Sequence, residues 1–234
     1  MLGAGLPAIE GEGISADARA AIDGHVRLLL AWNEAVNLSG IRAPEAIARE
    51  HVLDSLTALP LLRRAGIAEF VDLGSGGGYP GLPLAVALPA RRALLVESIG
   101  KKARFLAAAV AALGLADRVA VAGTRAESIA ADPRHRGHWQ AVVSRAVADL
   151  TELSELALPL LRGGGVLVAW KRRPLDEELS RAARAVRQLG GRVVACEAVA
   201  LPGLEDHVLA VVEKVAATPP EFPRDPAARR RRPL

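Results

Sequence analysis

The densest run of residues able to do chemistry is Phe-Val-Asp-Leu-Gly-Ser-Gly-Gly-Gly-Tyr-Pro-Gly-Leu-Pro, residues 70–83. Phe70, Val71 and Leu73 suit the end of a buried strand. Gly74, Gly76, Gly77 and Gly78 let the backbone turn with no side chain between it and a ligand, and Pro80 and Pro83 suit the first turn of a helix. Gly76, Gly78 and Gly81 satisfy the Gly-x-Gly-x-x-Gly spacing of dinucleotide sites, but that helix would have to open among Tyr79, Pro80 and Pro83. Asp72, directly before the glycines, favours a different ligand. A carboxylate at a strand end can hold the cationic amino-acid part of S-adenosylmethionine while the glycines make room for it. A tight turn with no ligand is the plain alternative.

Other candidate residues follow from where a parallel sheet binds ligands, at the carboxyl ends of its strands. Glu97 ends the next apolar run and can accept from both ribose hydroxyls, with Ser98 behind it as a possible helix N-cap. Ala126 and Glu127 can place a backbone amide and a carboxylate at the adenine edge, although Glu127 equally fits a solvated first-turn acid. Ser144-Arg145-Ala146 stands where enzymes that methylate exocyclic amines carry Asp/Asn-Pro-Pro-aromatic, which is absent. A pyrimidine-carbon methyltransferase needs a thiolate, and the lone Cys196 reads as a small core residue on a late strand. Arg145 also occupies the Asp place of a ribose methyltransferase. The site suits a nucleophile that already bears a lone pair, such as N7 of guanine, for which positioning suffices and no general base is needed. His51, Asp54 and Ser55 share one helix face. They serve either substrate contact or the docking of that helix, and not as a hydrolase triad. The five histidines have no cysteine partners at zinc spacing, so no metal is expected.

These residues need positioning elements. Ser15 can cap a helix over residues 16–36, and Pro44 can start another reaching about Leu59. From Ala68 apolar runs alternate with helical stretches, with strands predicted at 69–73, 92–97, 118–122, 140–144, 166–170, 192–197 and 207–213. Helices are predicted near 82–88, 101–113, 125–130, 150–161 and 176–189. The alternation implies parallel crossovers, and Pro202-Gly203 joins the last two strands as an antiparallel hairpin. The fold class is therefore α/β: a Rossmann-like, class I S-adenosylmethionine-dependent methyltransferase with a seven-stranded, mostly parallel sheet and a small N-terminal helical lobe. The expected division is lobe 1–64, methyltransferase domain 65–216 and a basic disordered tail 217–234.

Composition bounds the rest. The chain has 234 residues, 51% of them hydrophobic, enough for one good core, and no apolar run approaches a membrane span. No signal-peptide pattern opens the chain, and a single cysteine fits a reducing cytoplasm. Five of the 30 basic residues and one of the 26 acidic ones lie from Arg224 onward, leaving 25 of each. The body is thus formally neutral, and local clusters matter more than the sum. Arg91-Arg92, Lys101-Lys102 with Arg104, Arg134–His138 and Lys171–Arg173 are either solvated rims or, around one cleft, a track for RNA.

Residues 37–215 resemble the ribosomal RNA small subunit methyltransferase G family, also called glucose-inhibited division protein B. The resemblance is carried by Asn37-Leu38-Ser39, His51 with Leu53-Asp54-Ser55, and residues 72–83 with their Pro-Gly-Leu-Pro ending. Glu97-Ser98 before Gly100-Lys101-Lys102, Arg125-Ala126-Glu127, Ser144-Arg145-Ala146 and Lys171 extend it. It implies methylation of N7 of one guanine in 16S rRNA in a bacterial cytoplasm; the expected partner is 16S rRNA or the small subunit, with no membrane, and the expected state is a monomer. The cofactor shell is then Asp72, Gly74, Gly76, Tyr79, Glu97, Ala126, Glu127 and Arg145, with Arg145, Lys171 and His51 as candidates for the reacting, RNA-facing side. Arg172 departs from the Gly that usually follows the lysine. A non-catalytic, RNA-binding ribosome-assembly factor and a small-molecule methyltransferase are the competing readings.

Overall fold

The structure, a computed structural model, describes residues 13–88 and 90–234. Of the Gly-rich stretch 1–14, which reads as a loose lead-in, residues 1–12 lie outside them. Ser15 Oγ accepts from Ala18 N at 3.1 Å and caps helix α1, Ala16–Val36. Helix α2 starts at Pro44–Ile47, passes through a π-helical turn at Ala48–Leu53 and ends with Asp54–Leu56. The expected continuation to Leu59 stops at Thr57, whose Oγ1 donates back to the Asp54 carbonyl at 2.6 Å, and Pro60 sits in the first turn of a separate helix α3, Leu59–Arg64.

Seven strands then form one sheet: β1 Glu69–Leu73, β2 Arg92–Val96, β3 Val119–Ala122, β4 Trp139–Arg145, β5 Leu161–Arg172, β6 Gly191–Ala198 and β7 His207–Lys214. Their order is β3-β2-β1-β4-β5-β7-β6, parallel through β5 and closed by the antiparallel β7 and β6. The crossovers are α4 Gly81–Ala87, α5 Gly100–Ala112, α6 Ala126–Ala131, α7 Leu150–Ala157 with a 3₁₀ turn after it, and α8 Asp176–Gln188. Chain direction across the sheet reverses between β1 and β4, the place where an open α/β sheet leaves a crevice at its carboxyl edge.

Strand alternation sorts the side chains between two cores. Phe70, Ala141, Val143, Val168, Trp170 and Leu209 pack with α1–α5 on one face. Val71, Leu73, Val142, Leu167 and Ala169 pack with α6–α8 on the other. The lobe helices thus share a core with one face of the sheet.

The chain end differs from the disordered tail expected from its composition. Phe222 is 3% exposed in the second core, Asp225 caps helix α9, Pro226–Arg231, and Arg136 donates to the carbonyls of Thr218, Pro219 and Phe222. Arg224 forks onto Glu155 at 2.9 and 2.6 Å while its own amide donates to Glu155 Oε1 at 2.8 Å. Arginine count misled because two of the five tail arginines, Arg224 and Arg229, have carboxylate acceptors on the body, while Arg230, Arg231 and Arg232 stay exposed. Cys196, expected in the core, is exposed on β6, the sheet's edge strand. Arg224→Ala strands the Glu155 side chain, 1% exposed, without its cation. We expect a loss of about 3 kcal/mol in denaturant unfolding, largely recovered by adding Glu155→Leu; full stability in the single variant would contradict the role of the chain end as a strap across the second core.

Candidate active site

At the end of β1 the chain turns through Gly74 at φ 74° and Gly76 at φ 55°, backbone that favours glycine. What lies against Gly74 is Val147, whose side chain leaves no room for a Cβ, whereas around Gly76 nothing but the Gly74 carbonyl comes within 4 Å of one. The ledge is therefore open at Gly76. Gly76 N donates to Glu97 Oε2 at 2.9 Å and Ile99 N donates to Glu97 Oε1 at 2.7 Å, so the carboxylate at the end of β2 is fixed and each oxygen keeps lone-pair capacity for a diol. Ile99 is the N-cap of α5, and Ser98, expected there, is exposed.

Asp72 shares its face of β1 with Phe70 and points at the start of α4. Gly81 N donates to its Oδ2 at 2.9 Å, while Oδ1 is buried without a partner. Burial raises this carboxyl to about 7. A buried carboxylate oxygen lacking a donor, a fixed carboxylate at the diol position and an open glycine are what the ammonium, ribose and backbone-hugging part of S-adenosylmethionine require. Asp72, Gly76 and Glu97 would hold it.

The opposite wall of the cleft is built around Asp54. Arg145, on the lobe face of β4, donates from Nη1 to Asp54 Oδ2 at 2.7 Å and to the Glu50 carbonyl at 2.9 Å. His207 of β7 donates from Nδ1 to Asp54 Oδ1 at 2.8 Å, and Trp170 of β5 donates to the Asp54 carbonyl at 2.8 Å. The π turn makes this possible. Asp54 N–H reaches back to Arg49 instead of Glu50, and Arg145 takes the Glu50 carbonyl. Arg145 has no acceptor atoms, so His51 Nδ1, 3.3 Å from its Nη2, accepts, and the proton sits on Nε2, which donates to Ser39 Oγ at 2.6 Å. Asn33 fixes that loop, accepting from Leu38 N and Ser39 N at 2.6 and 2.9 Å and donating to the Ser39 carbonyl at 2.8 Å. Tyr79 lies buried between the rings of His25 and His51, with centroids 4.6 and 4.8 Å away. The resulting cleft, about 360 Å³, is bordered by His51, Asp54, Arg145, Trp170, Lys171 and His207.

The structure brings Asp72, Gly74, Gly76 and Glu97 together at the ledge, and Arg145, His51 and Tyr79 beside it. Lys171 differs from Arg145 by one step of strand parity: it leaves the other face of the sheet, pairs with Glu178 and donates to the Ala148 carbonyl at 2.7 Å, bracing the loop after Arg145. Ala126 and Glu127 open α6, and Glu127 is held by Arg229 of the chain end instead of standing in solvent. Ser55 donates to the His51 carbonyl. Asn33, Trp170 and His207 were not singled out from sequence; only the polar Asn33 within an apolar helix stripe gave a signal. Among the described residues no cluster able to hold a metal is present, and no helix is long and apolar enough to cross a membrane.

Burial, reinforced at His51 by Arg145, pushes His25 and His51 down to about 4. Between that value and the ordinary 6.5 the unfolded chain binds more protons, so their contribution to stability rises with pH and is lost on acidification. Asp72 acts oppositely, since the folded chain keeps its proton up to about 7. Two groups oppose one. Chemical unfolding from pH 4 to 6.5 should show stability rising with pH, each histidine adding up to about 1.4 kcal/mol per pH unit, and His51→Gln should flatten the slope. A flat wild-type profile would contradict the burial of both rings.

The comparisons with known proteins come down on the same side. The family described as GidB, rRNA small subunit methyltransferase G, matches residues 19–207. A ribosomal RNA small subunit methyltransferase G of Roseiflexus sp. (strain RS-1) is 44% identical over 206 residues, 88% of this chain and 87% of that protein. Its counterpart in Deinococcus radiodurans is 43% identical over 198 residues, 84% of this chain and 78% of the relative. Among solved structures, an O-methyltransferase from Bacillus cereus in complex with SAH superposes with a TM-score of 0.57 at 18% identity, over 87% of this chain and 99% of that one, a likeness of fold. The chain belongs to the rRNA small subunit methyltransferase G family.

Proposed function

We infer that this member of the family, an S-adenosylmethionine-dependent methyltransferase of ribosomal RNA, carries the methyl group to N7 of one guanine in 16S rRNA. The observation that carries the reading is that Arg145 engages both of the bases beside it at the cleft. Asp54 is committed to Arg145 and His207, and the one imidazole lone pair of His51 faces Arg145. Guanine N7 needs no deprotonation, so such a site suffices for it. When bound, the cofactor supplies a methyl group made electrophilic by its sulfonium. The chain's residues position the base and set the local charge. Positive charge passes to the guanine ring as N7 bonds to carbon, and Asp54 neutralises Arg145, so the wall does not oppose that charge. Arg145 and His51 are the residues facing the reacting base, and Lys171 acts through the Ala148 loop.

RNA is the partner that the rim suits, acting through its phosphates. The basic clusters divide by sheet end. Arg92 starts β2 at the amino edge, where it pairs with Glu69 and covers Trp139, and Arg136 is occupied with chain-end carbonyls. Lys101-Lys102 with Arg104 follow the carboxyl end of β2, and Arg172-Arg173 that of β5, so these flank the cleft and are the ones proposed to track the RNA. A cytoplasmic monomer acting on the small subunit or its RNA is part of the same proposal.

Nucleoside mapping by mass spectrometry in a deletion strain should show N7-methylguanosine lost from one 16S position and restored by the wild-type chain; unchanged N7-methylguanosine would refute the assignment. Asp54→Asn, which loosens Arg145, should lower kcat about 100-fold with little change in KM for the cofactor. Equal losses in both would place Asp54 at the cofactor instead. A cation placed against Asp72 Oδ1 lowers its pKa, so S-adenosylhomocysteine binding at pH 6 should release protons in calorimetry across buffers of different ionisation enthalpy. Asp72→Asn should abolish that release, and an unaltered release would rule Asp72 out as its source.

A further inference from the structure

We propose that the chain end is a wall of the cofactor pocket, with Arg229 a positioning residue that aims the Glu127 carboxylate at the adenine amine. The inference rests on the reading above, in which the ledge takes S-adenosylmethionine.

The path of the chain end is fixed before it reaches Glu127. Lys214 donates to the Leu189 carbonyl at 3.1 Å, Arg136 collects three carbonyls, Phe222 fills the second core and Arg224 forks onto Glu155. These contacts already hold the strap, and α9 then carries Arg229 further. The Arg229 side chain, 7% exposed, donates to Glu127 Oε1, and its Nε lies 3.3 Å from Glu152 Oε1. Nη1 donates to the Arg224 carbonyl at 2.9 Å, which fixes the guanidinium from behind.

Glu127 stands in the first turn of α6, directly beyond the carboxyl end of β3, and β3 neighbours β2, whose end holds Glu97. A ligand with its diol on Glu97 extends its base toward that loop. Arg229 occupies one oxygen of Glu127, leaving Oε2 to accept from an exocyclic amine. For that bond the guanidinium removes the side-chain freedom that Glu127 would otherwise lose on binding. The buried guanidinium also covers one side of Glu127, whose side chain is 17% exposed.

The test uses the full chain and two probes, S-adenosylhomocysteine and S-inosylhomocysteine, which differ by the exchange of the ring amine for a carbonyl. Calorimetry on the wild type should show the inosine analogue binding more weakly by about tenfold or more. Arg229→Gln should lower S-adenosylhomocysteine affinity about tenfold and erase most of the discrimination, Arg229→Lys should retain part of it, and Arg229→Gln combined with Glu127→Gln should be no worse than Glu127→Gln alone. A folded Arg229→Gln protein with wild-type affinity and discrimination overturns the proposal. Should that variant not fold, Arg229→Lys and Glu127→Gln decide: unchanged discrimination in both overturns it. Wild-type protein that binds neither probe defeats the cofactor reading itself and this proposal with it, whereas wild-type binding without discrimination defeats only the role of Glu127 and Arg229.

Discussion

The ion pair between Asp54 and Arg145 is the contact on which the functional half of the molecule depends. Three strands, β4, β5 and β7, each send a donor from the lobe face of the sheet to this one residue, through Arg145, Trp170 and His207. A carboxylate 1% exposed is costly unless paired and hydrogen-bonded. Here its two oxygens and its carbonyl each have a donor, and all three donors sit on rigid strands. The lobe is thereby fixed over the carboxyl edge of the sheet by specific geometry as well as by apolar contact. Arg145 in turn orients His51, which stacks on Tyr79 of the glycine loop. One polar hub thus links the wall facing the substrate to the ledge facing the cofactor.

This arrangement explains why the site carries so little acid–base machinery. The groups around Arg145 are committed or suppressed: His51 and His25 are held neutral by burial, and the Asp54 carboxylate is taken up by its donors. Rigid, charge-balanced walls are what an alignment-limited transfer needs, since orientation of the reacting atoms is where such a catalyst gains most. Asp72 is the exception, with one oxygen capping α4 and the other lacking a partner. Buried polar atoms without partners are rare in folded proteins, and a ligand cation is the simplest means of satisfying this one.

Much of this was legible in the residues. The glycine loop, the strand and helix alternation and the helical lobe follow from apolar periodicity and from capping residues such as Ser15, because those signals are local. The position of Glu97 was legible because it closes an apolar run that reads as a strand of a parallel sheet. What was not legible is tertiary. The π turn that offers the Glu50 carbonyl to Arg145 has no compositional mark. Arg145 and Lys171 look alike in a sequence, yet strand parity sends them to opposite faces. The arginine-rich end reads as solvated charge until Glu155, Glu152 and Glu127 are seen in space, since nothing along the chain connects residues so far apart.

The central claim is that the open ledge at Gly76, flanked by Asp72 and Glu97, is where the methyl donor lies, against a wall organised by Asp54 and Arg145. A crystal structure of the chain with S-adenosylhomocysteine tests it most directly. The account predicts ribose hydroxyls on Glu97, a cationic nitrogen supplying the missing donor to Asp72 Oδ1, and the Asp54–Arg145 pair intact beside the sulfur. Ligand bound elsewhere, with the ledge closed over by Val147 and Glu97 bonded only to the amides of Gly76 and Ile99, would contradict it.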